Sequence, residues 1–379
     1  MQRLSIVLCG LRFGGAFVPI YRDHPDVTDI GICDPDAKLL GEVAQHFGIA
    51  RTYASLDEVL RDDTVDAVHL ITPIPLHEEQ TVRVLRSGKH CACTVPMALT
   101  LAGIQRIIDA CRETGKKYMM METTAYTRQF MLVQRMLAEG ELGRIQFMRG
   151  CHYQDMENWP DYWQGLPPMH YATHAIAPMV LLSGARVNRV VCFGSGEMRE
   201  ALRTQYGNPY PVESALIGFT NGLKGEATRS LFETARVYLE GMYVYGSKAS
   251  FEWGFADGDS PIITRLHPSS ERGFHTPYET VPAPACYQML PQAIRRYTVS
   301  SEGYDETRPE NSLNEGAAGG HHGSHPHLVH AFVRSVVEDE RPEIDAYLGA
   351  NITATGICAH LSAMDDGKEY AVPTYDEEV

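Results

Sequence analysis

His170 and His174 stand four residues apart in Met169-His170-Tyr171-Ala172-Thr173-His174. In a helix that spacing puts both imidazoles on one face, where both can point at one ligand. Imidazole titrates nearest to neutral pH, which suits it to proton transfer. Tyr153 ends a β-like run in His152-Tyr153-Gln154-Asp155 and is a second candidate base. A phenol works as a base only when its pKa is strongly lowered, so an anionic neighbour would count against it. Glu122 closes the apolar run Tyr118–Met121. It is either a site carboxylate or the partner of Arg128. Tyr126 and Arg128 follow closely enough to line the same mouth. Residues 319–327 carry four histidines, and His322 with His325 has metal-ligand spacing. A structural zinc site favours cysteine, and no cysteine lies nearby. The plainer reading is a glycine loop that presents one or two imidazoles.

These groups need elements to hold them. Ser5–Cys9 reads as a buried strand, Gly10-Leu11-Arg12-Phe13-Gly14-Gly15 as a glycine turn, and Ala16 to Tyr21 as a helix opening. Ile30–Cys33 reads as a second strand with Asp34 at its carboxyl end. A glycine turn lets backbone approach a pyrophosphate, and an acid about 20 positions on accepts both ribose hydroxyls of NAD while repelling the 2′-phosphate of NADP. Arg12 replaces the middle glycine of that pattern, so an ordinary crossover with a glycine turn is the alternative. Strand and helix patterns continue to alternate to residue 122, which implies a parallel sheet with right-handed crossovers. Ligands bind at the carboxyl ends of such strands, so Thr72, Pro73, His77, Thr94, Pro96 and Glu122 are expected on the cofactor side.

Beyond residue 123 the pattern turns to long β-rich segments with an Asn221-Gly222 hairpin signal, then to helices at Leu328–Val337 and, after an Asp345 cap, Tyr347–Ala363. The fold class expected is α/β: an N-terminal Rossmann domain over residues 1–122, then an α/β domain over 123–379 with a large open, mostly antiparallel sheet. The length of 379 residues suits two domains. A net charge of −15 argues against nucleic acid and anionic membrane as partners. No apolar run approaches the roughly 20 residues that span a bilayer, and no signal-peptide pattern precedes the first strand. Nine scattered cysteines without a C-x-x-C read as reduced thiols of a cytoplasmic enzyme.

Taken in order, these pieces resemble the glucose–fructose oxidoreductase and inositol dehydrogenase (Gfo/Idh/MocA) family. The matching residues are the glycine turn, Asp34, Thr72-Pro73 with Leu76-His77, Gly88-Lys89-His90 before Thr94-Val95-Pro96, Arg128, Gly143-Arg144-Ile145 and Tyr245-Gly246-Ser247. The resemblance implies NAD as cofactor and a homodimer or homotetramer. Family dehydrogenases carry Glu-Lys-Pro where this chain has Thr94-Val95-Pro96, and valine can neither donate, accept nor carry charge. They also carry aspartate where His170 stands and histidine where His174 stands. The tract Tyr171-x-Thr173-His174-x-x-x-Pro178 is similar to that of the NAD-dependent α-N-acetylgalactosaminidases, with the NAD-dependent sulfoquinovosidases as a neighbouring branch.

That likeness implies a glycoside hydrolase working by oxidation at sugar carbon 3, elimination, hydration and re-reduction, without the paired carboxylates of direct displacement. It casts His174 at the carbon-3 hydroxyl, Tyr153 at carbon 2, and His170 at the leaving group or substrate hydroxyls. It favours substrate contact, with no metal, for His322 and His325. Trp163, beside Trp159 and Tyr162, either stacks on a sugar or pins its loop to the core. An anionic sugar would call for Arg128, Arg149 or Arg229. The alternatives are an NAD-dependent sugar or polyol dehydrogenase and a nucleotide-sensing regulator that has lost catalysis.

Overall fold

The computed structural model describes residues 3–236, 238–256, 259–266, 277–299, 301–302, 313–314 and 320–375. The chain divides into two compact units, residues 1–127 with 285–350, and residues 128–284 with 351–379. The sequence pattern predicts one boundary, after residue 122. The structure instead returns a late segment to the first unit.

In that unit β1 (Leu4–Cys9), β2 (Val27–Cys33), β3 (Arg51–Tyr53), β4 (Ala67–Leu70), β5 (His90–Thr94) and β6 (Tyr118–Met121) form one sheet in the order β3-β2-β1-β4-β5-β6. Every neighbouring pair is parallel. The crossovers carry α1 (Val18–Asp23), α2 (Ala37–Phe47), α3 (Leu56–Arg61), α4 (His77–Arg86) and α5 (Leu101–Thr114). The sheet is apolar because helices cover both faces, as parallel sheets require. The helix expected from Ala16 begins later: a 3₁₀ turn over Gly14–Ala16 precedes α1, whose first turn holds Pro19. Strand order reverses between β1 and β4, which makes their carboxyl ends the binding crevice of this topology.

The second unit opens with α6 (Arg128–Ala138), β7 (Ile145–Gln154) and α7 (Thr173–Ser183). Strands β8 (Val187–Ser195), β9 (Val212–Phe219), β10 (Lys224–Ser230), β11 (Tyr238–Gly246), β12 (Ala249–Trp253), β13 (Ile262–Arg265) and β14 (Tyr278–Thr280) follow. Farther along the chain, α8 (His325–Val337) belongs to the first unit, α9 (Ala346–Met364) lies mostly in the second, and β15 (Tyr370–Ala371) is in the second. The nine-stranded order is β14-β13-β12-β11-β7-β10-β9-β8-β15, and every pair is antiparallel except β7 with β10. One face is covered by α7. The open face carries exposed side chains such as Phe193 and Leu216.

The first unit recovers residues 285–350 through α8. Its Phe332 and Val333 are fully buried, Arg334 pairs with Asp26 at 2.8 Å, and His330 Nδ1 lies 3.0 Å from His24 Nε2. Asp345 caps α9 as expected, accepting from the N–H groups of Tyr347 at 3.1 Å and Leu348 at 2.9 Å. Among the described residues no helix is long and apolar enough to cross a membrane.

One glycine sets the spacing of α7 on the sheet. A Cβ at Gly150 of β7 would stand 2.1 Å from the Ala175 carbonyl oxygen, inside the backbone of α7. Only hydrogen at that position lets helix and strand meet so closely. Gly150→Ala is therefore expected to push α7 outward and to destabilise the unit by roughly 2–3 kcal/mol, the range of overpacked cores. Urea unfolding of this variant beside Gly225→Ala, whose Cβ would come closest to the flexible Met179 sulfur and meet its other neighbours at ordinary contact distance, checks it. Equal midpoints would refute the claim.

Candidate active site

In the first unit Gly10 directly follows β1 with φ +93°, and a Cβ there would lie 2.3 Å from the Ile71 carbonyl oxygen, so glycine is required. Asp34 pins the turn that follows: Oδ2 accepts from the Leu11 N–H at 2.9 Å, and Oδ1 from the Asp36 N–H at 2.9 Å. Gly14 and Gly15 are buried below, and Arg12 and Phe13 are exposed above them. A glycine turn at the β1/β4 crevice beside an acid at the end of β2 fits an NAD pyrophosphate and ribose. Asp34→Asn keeps an acceptor for the turn but loses the charge. It should weaken NAD binding by about 10–100-fold, the worth of a charged hydrogen bond, and narrow the preference over NADP. Calorimetric titration with both cofactors reads it directly.

The remaining cofactor candidates gather at the same strand ends. His77 places Nδ1 2.8 Å from the Pro96 carbonyl and Nε2 2.8 Å from that of Thr72, with the Thr94 hydroxyl 3.4 Å away. It clasps the segments after β4 and β5 to each other. Pro73 caps the 3₁₀ turn that leads into α4. Val95 is buried. His325 lies against the glycine turn, its ring 4.3 Å from Phe17 and 5.7 Å from Phe13. The second imidazole beside Phe13 belongs to His321 at 6.1 Å, a residue the sequence reading passed over in favour of His322. His322 is half-buried with φ +55°, and Gly319 lies outside the described residues.

Glu122 and Tyr126 have structural duties. Glu122 is fully buried at the end of β6, and its Oε1 accepts from the backbone N–H of Thr124 at 3.0 Å and its hydroxyl at 2.8 Å, capping the next turn. The Tyr126 hydroxyl donates to Glu343 at 2.7 Å, and burial holds its pKa well above the ordinary phenol value.

In the second unit the two histidines of the tract part company. Ala172 precedes the first residue of α7, so His170 lies in the 3₁₀ turn Pro168–Tyr171 and only His174 lies in the helix. The shared helical face expected for them does not form. The His170 ring lies 5.0 Å from His360, whose Nδ1 is 2.7 Å from Glu213 Oε1, and Glu213 Oε2 accepts from the Met169 N–H at 2.8 Å. The His174 ring instead meets His152, at 4.9 Å. Glu240 is the cross-strand partner of His152, and the three ligating atoms lie within 4.8 Å of one another. All three residues are buried, at 1 % (His152), 5 % (His174) and 3 % (Glu240) exposure. Tyr238 stands beside them, 5.4 Å from His152, and hydrogen-bonds Glu240. Tyr171 lies edge-on to His174 at 5.5 Å.

Tyr153 falls on the wrong side of the sheet. Strand side chains alternate, so the buried even positions of β7 (Met148, Gly150, His152) face α7 and the odd ones face away. Tyr153 shares the open face with Arg149 and Cys151, and burial raises its pKa, with Cys151 and Glu226 adding to the rise. Both facts remove it as a base working with His174. The sequence reading missed His152 by one residue, and a one-residue change of parity reverses the face. Glu240 was missed because it sits in an apolar β run; an acid at an inward position was the available signal.

Trp163 is buried against Tyr171, ring centroids 4.8 Å apart, and against Tyr162 at 5.6 Å, so it pins its loop; Trp159 is the exposed ring. Arg149 pairs with Glu226 at 3.0 Å. Arg128 is half-buried at the start of α6. Arg229 is wholly buried and spends its donors on protein acceptors: the carbonyls of Tyr171 at 2.8 Å, His152 at 2.9 Å and Ser230 at 2.9 Å, and Gln154 Oε1 at 2.8 Å. It welds β7, β10 and the Pro168–Tyr171 turn together.

Models of the family's two domains match this chain: "Oxidoreductase family, NAD-binding Rossmann fold" over residues 4–122 and "GFO/IDH/MocA C-terminal domain" over residues 130–252. The chain belongs to the Gfo/Idh/MocA family. Its N-terminal unit is the family's NAD-binding Rossmann fold. A glycosyl hydrolase family 109 protein of Saccharopolyspora erythraea is 26% identical over 254 residues, covering 61% of this chain and 55% of that protein. An alpha-N-acetylgalactosaminidase of Shewanella oneidensis is 27% identical over 198 residues, covering 48% of this chain and 42% of that one. The chain thus spans about half the length of the curated relatives it matches. Among Gfo/Idh/MocA structures, levoglucosan dehydrogenase in complex with NADH and L-sorbose superposes with TM-score 0.79 at 20% identity, covering 99% of this chain and 100% of that one. An oxidoreductase domain protein from Kribbella flavida gives 0.77 at 20% identity, over 98% and 100%. These structures establish the fold.

Burial keeps His170 neutral, pushing its imidazole down to about 3, with His360 adding to the effect. An ordinary histidine titrates near 6.5, so between these values the unfolded chain binds the extra proton. Stability is therefore full above pH 6.5 and falls as the pH drops toward 3, by at most about 1.4 kcal/mol per unit for this group. His170→Gln should flatten the acid limb of a urea-midpoint profile, and an unchanged slope would contradict the assignment.

Proposed function

We propose that this protein is an NAD-dependent glycoside hydrolase acting by oxidation at carbon 3, elimination, hydration and re-reduction. The observation that carries the reading is the burial of Val95, an inert side chain at the place the resemblance assigns to the dehydrogenases' lysine. Proton transfer then falls to the imidazoles of the second unit, and the likeness to relatives named for glycoside hydrolysis supports a glycoside as substrate. When bound, NAD supplies removal and return of a hydride at carbon 3. His174 accepts the proton of the carbon-3 hydroxyl. His152, on the correct face of β7, replaces Tyr153 as the group that takes the carbon-2 proton. His170, held neutral, donates a hydrogen bond to a substrate or leaving-group oxygen. The substrate proposed is a small glycoside, and the protein a cytoplasmic homodimer or homotetramer.

The second reading, a sugar or polyol dehydrogenase, draws on the likeness to levoglucosan dehydrogenase. A nitrophenyl glycoside panel with and without NAD separates the two. Phenol release without lasting NADH supports hydrolysis; steady NADH from a free sugar supports the dehydrogenase. A deuterium label at carbon 2 that survives in the hydrolysed product would overturn the elimination route.

A further inference from the structure

We propose that His152, His174 and Glu240 form a binding site for one divalent transition-metal ion, independent of which net reaction the protein catalyses. Two imidazoles and one carboxylate are the donor set of catalytic zinc sites and of the two-histidine, one-carboxylate sites that hold ferrous iron. Each donor comes from a different rigid element: β7, α7 and β11. His152 and Glu240 are fixed as opposite partners in one antiparallel ladder. Gly150 fixes the third, since its missing Cβ lets α7 close on β7 and brings the His174 ring to 4.9 Å from that of His152. The ligating atoms lie within 4.8 Å of one another. A tetrahedral ion with bonds of about 2.0–2.1 Å holds its ligands roughly 3.3 Å apart, so the site must close by about 1.5 Å or less. Side-chain torsions alone cover that.

A carboxylate ligand is ordinarily oriented by a hydrogen bond from a neighbour, and Tyr238 supplies one to Glu240. Charge also fits. One carboxylate against a divalent cation leaves the site at +1, and three protein donors leave a position open for an oxygen ligand that gains negative charge, such as a sugar hydroxyl losing its proton. The Arg229 guanidinium nearby is already matched by four oxygen acceptors. While the ion is bound, His152 and His174 are ligands and not bases, so the base roles proposed above are those of the metal-free protein. An ion held by these three residues would polarise a hydroxyl at the open position and ease the loss of its proton.

The test uses the full chain, stripped with a chelator and titrated with cobalt(II). One equivalent should bind and give the visible d–d absorption of a nitrogen- and oxygen-ligated site, and zinc(II) should displace it. His152→Gln and Glu240→Gln should each weaken binding by about 100-fold or more, and Tyr238→Phe by about tenfold. Tyr153→Phe, on the opposite face, should leave it unchanged. NADH fluorescence and thermal melting verify that each variant is folded. Failure of the folded wild type to bind cobalt, or unchanged binding in both ligand variants, overturns the proposal. Because the readout is metal binding, its failure is distinguishable from failure of the glycosidase reading, which rests on phenol release and label exchange.

Discussion

His174→Ala is expected to lower turnover by about 10³-fold while leaving NAD affinity unchanged. The factor is that of a lost proton-transfer group, which general acid–base catalysis places between about 10² and 10⁴. The cofactor is spared because the glycine turn and Asp34 belong to the first unit and His174 to the second. Tyr153→Phe is the contrast. Its ring faces away from α7, so less than about a threefold change is expected, far below the general-base range. Steady-state kinetics with the reactive glycoside, beside NADH titration, compare the two variants. Equal losses would return Tyr153 to the chemistry and overturn the parity assignment.

Arg229→Met is expected to destabilise the second unit by roughly 3–5 kcal/mol. The methionine fills part of the volume but leaves three backbone carbonyls and the Gln154 amide oxygen facing apolar surroundings, each worth about 1–3 kcal/mol if water cannot reach it. For a unit of this size the melting temperature should fall by roughly 10 °C. Arg229→Lys should rescue little, because an ammonium has three donors on a point and no planar fork. Calorimetric melting of the three proteins decides it; a lysine variant that melts with the wild type would show that charge alone suffices.

Much of the Rossmann unit is legible in sequence because its signals are local. Leu4–Cys9, Ala37–Phe47 and Leu101–Thr114 carry continuous or 3.6-periodic apolar patterns with caps, and they appear where the patterns place them. The short β3 and α3 are not legible, since three and six residues are too few to show a period. The site is harder for a different reason. His170 and His174 read as a helical pair until Pro167, Pro168 and Ala172 delay the helix, and that delay sends each ring to its own neighbour. Tyr153 and His152 differ only in parity. Glu240 meets His152 through a ladder between strands 88 residues apart in the chain, and no local pattern announces such a register.

The return of residues 285–350 to the first unit has a consequence for biosynthesis. The ribosome delivers the dinucleotide-binding sheet first, but α8, which buries Phe17 and carries His325 onto it, emerges only after the main strands of the second unit. Until then the nascent polypeptide carries an uncovered aromatic surface that chaperones can recognise. An amino-terminal fragment ending at residue 127 should accordingly aggregate, although every residue of its parallel sheet is present.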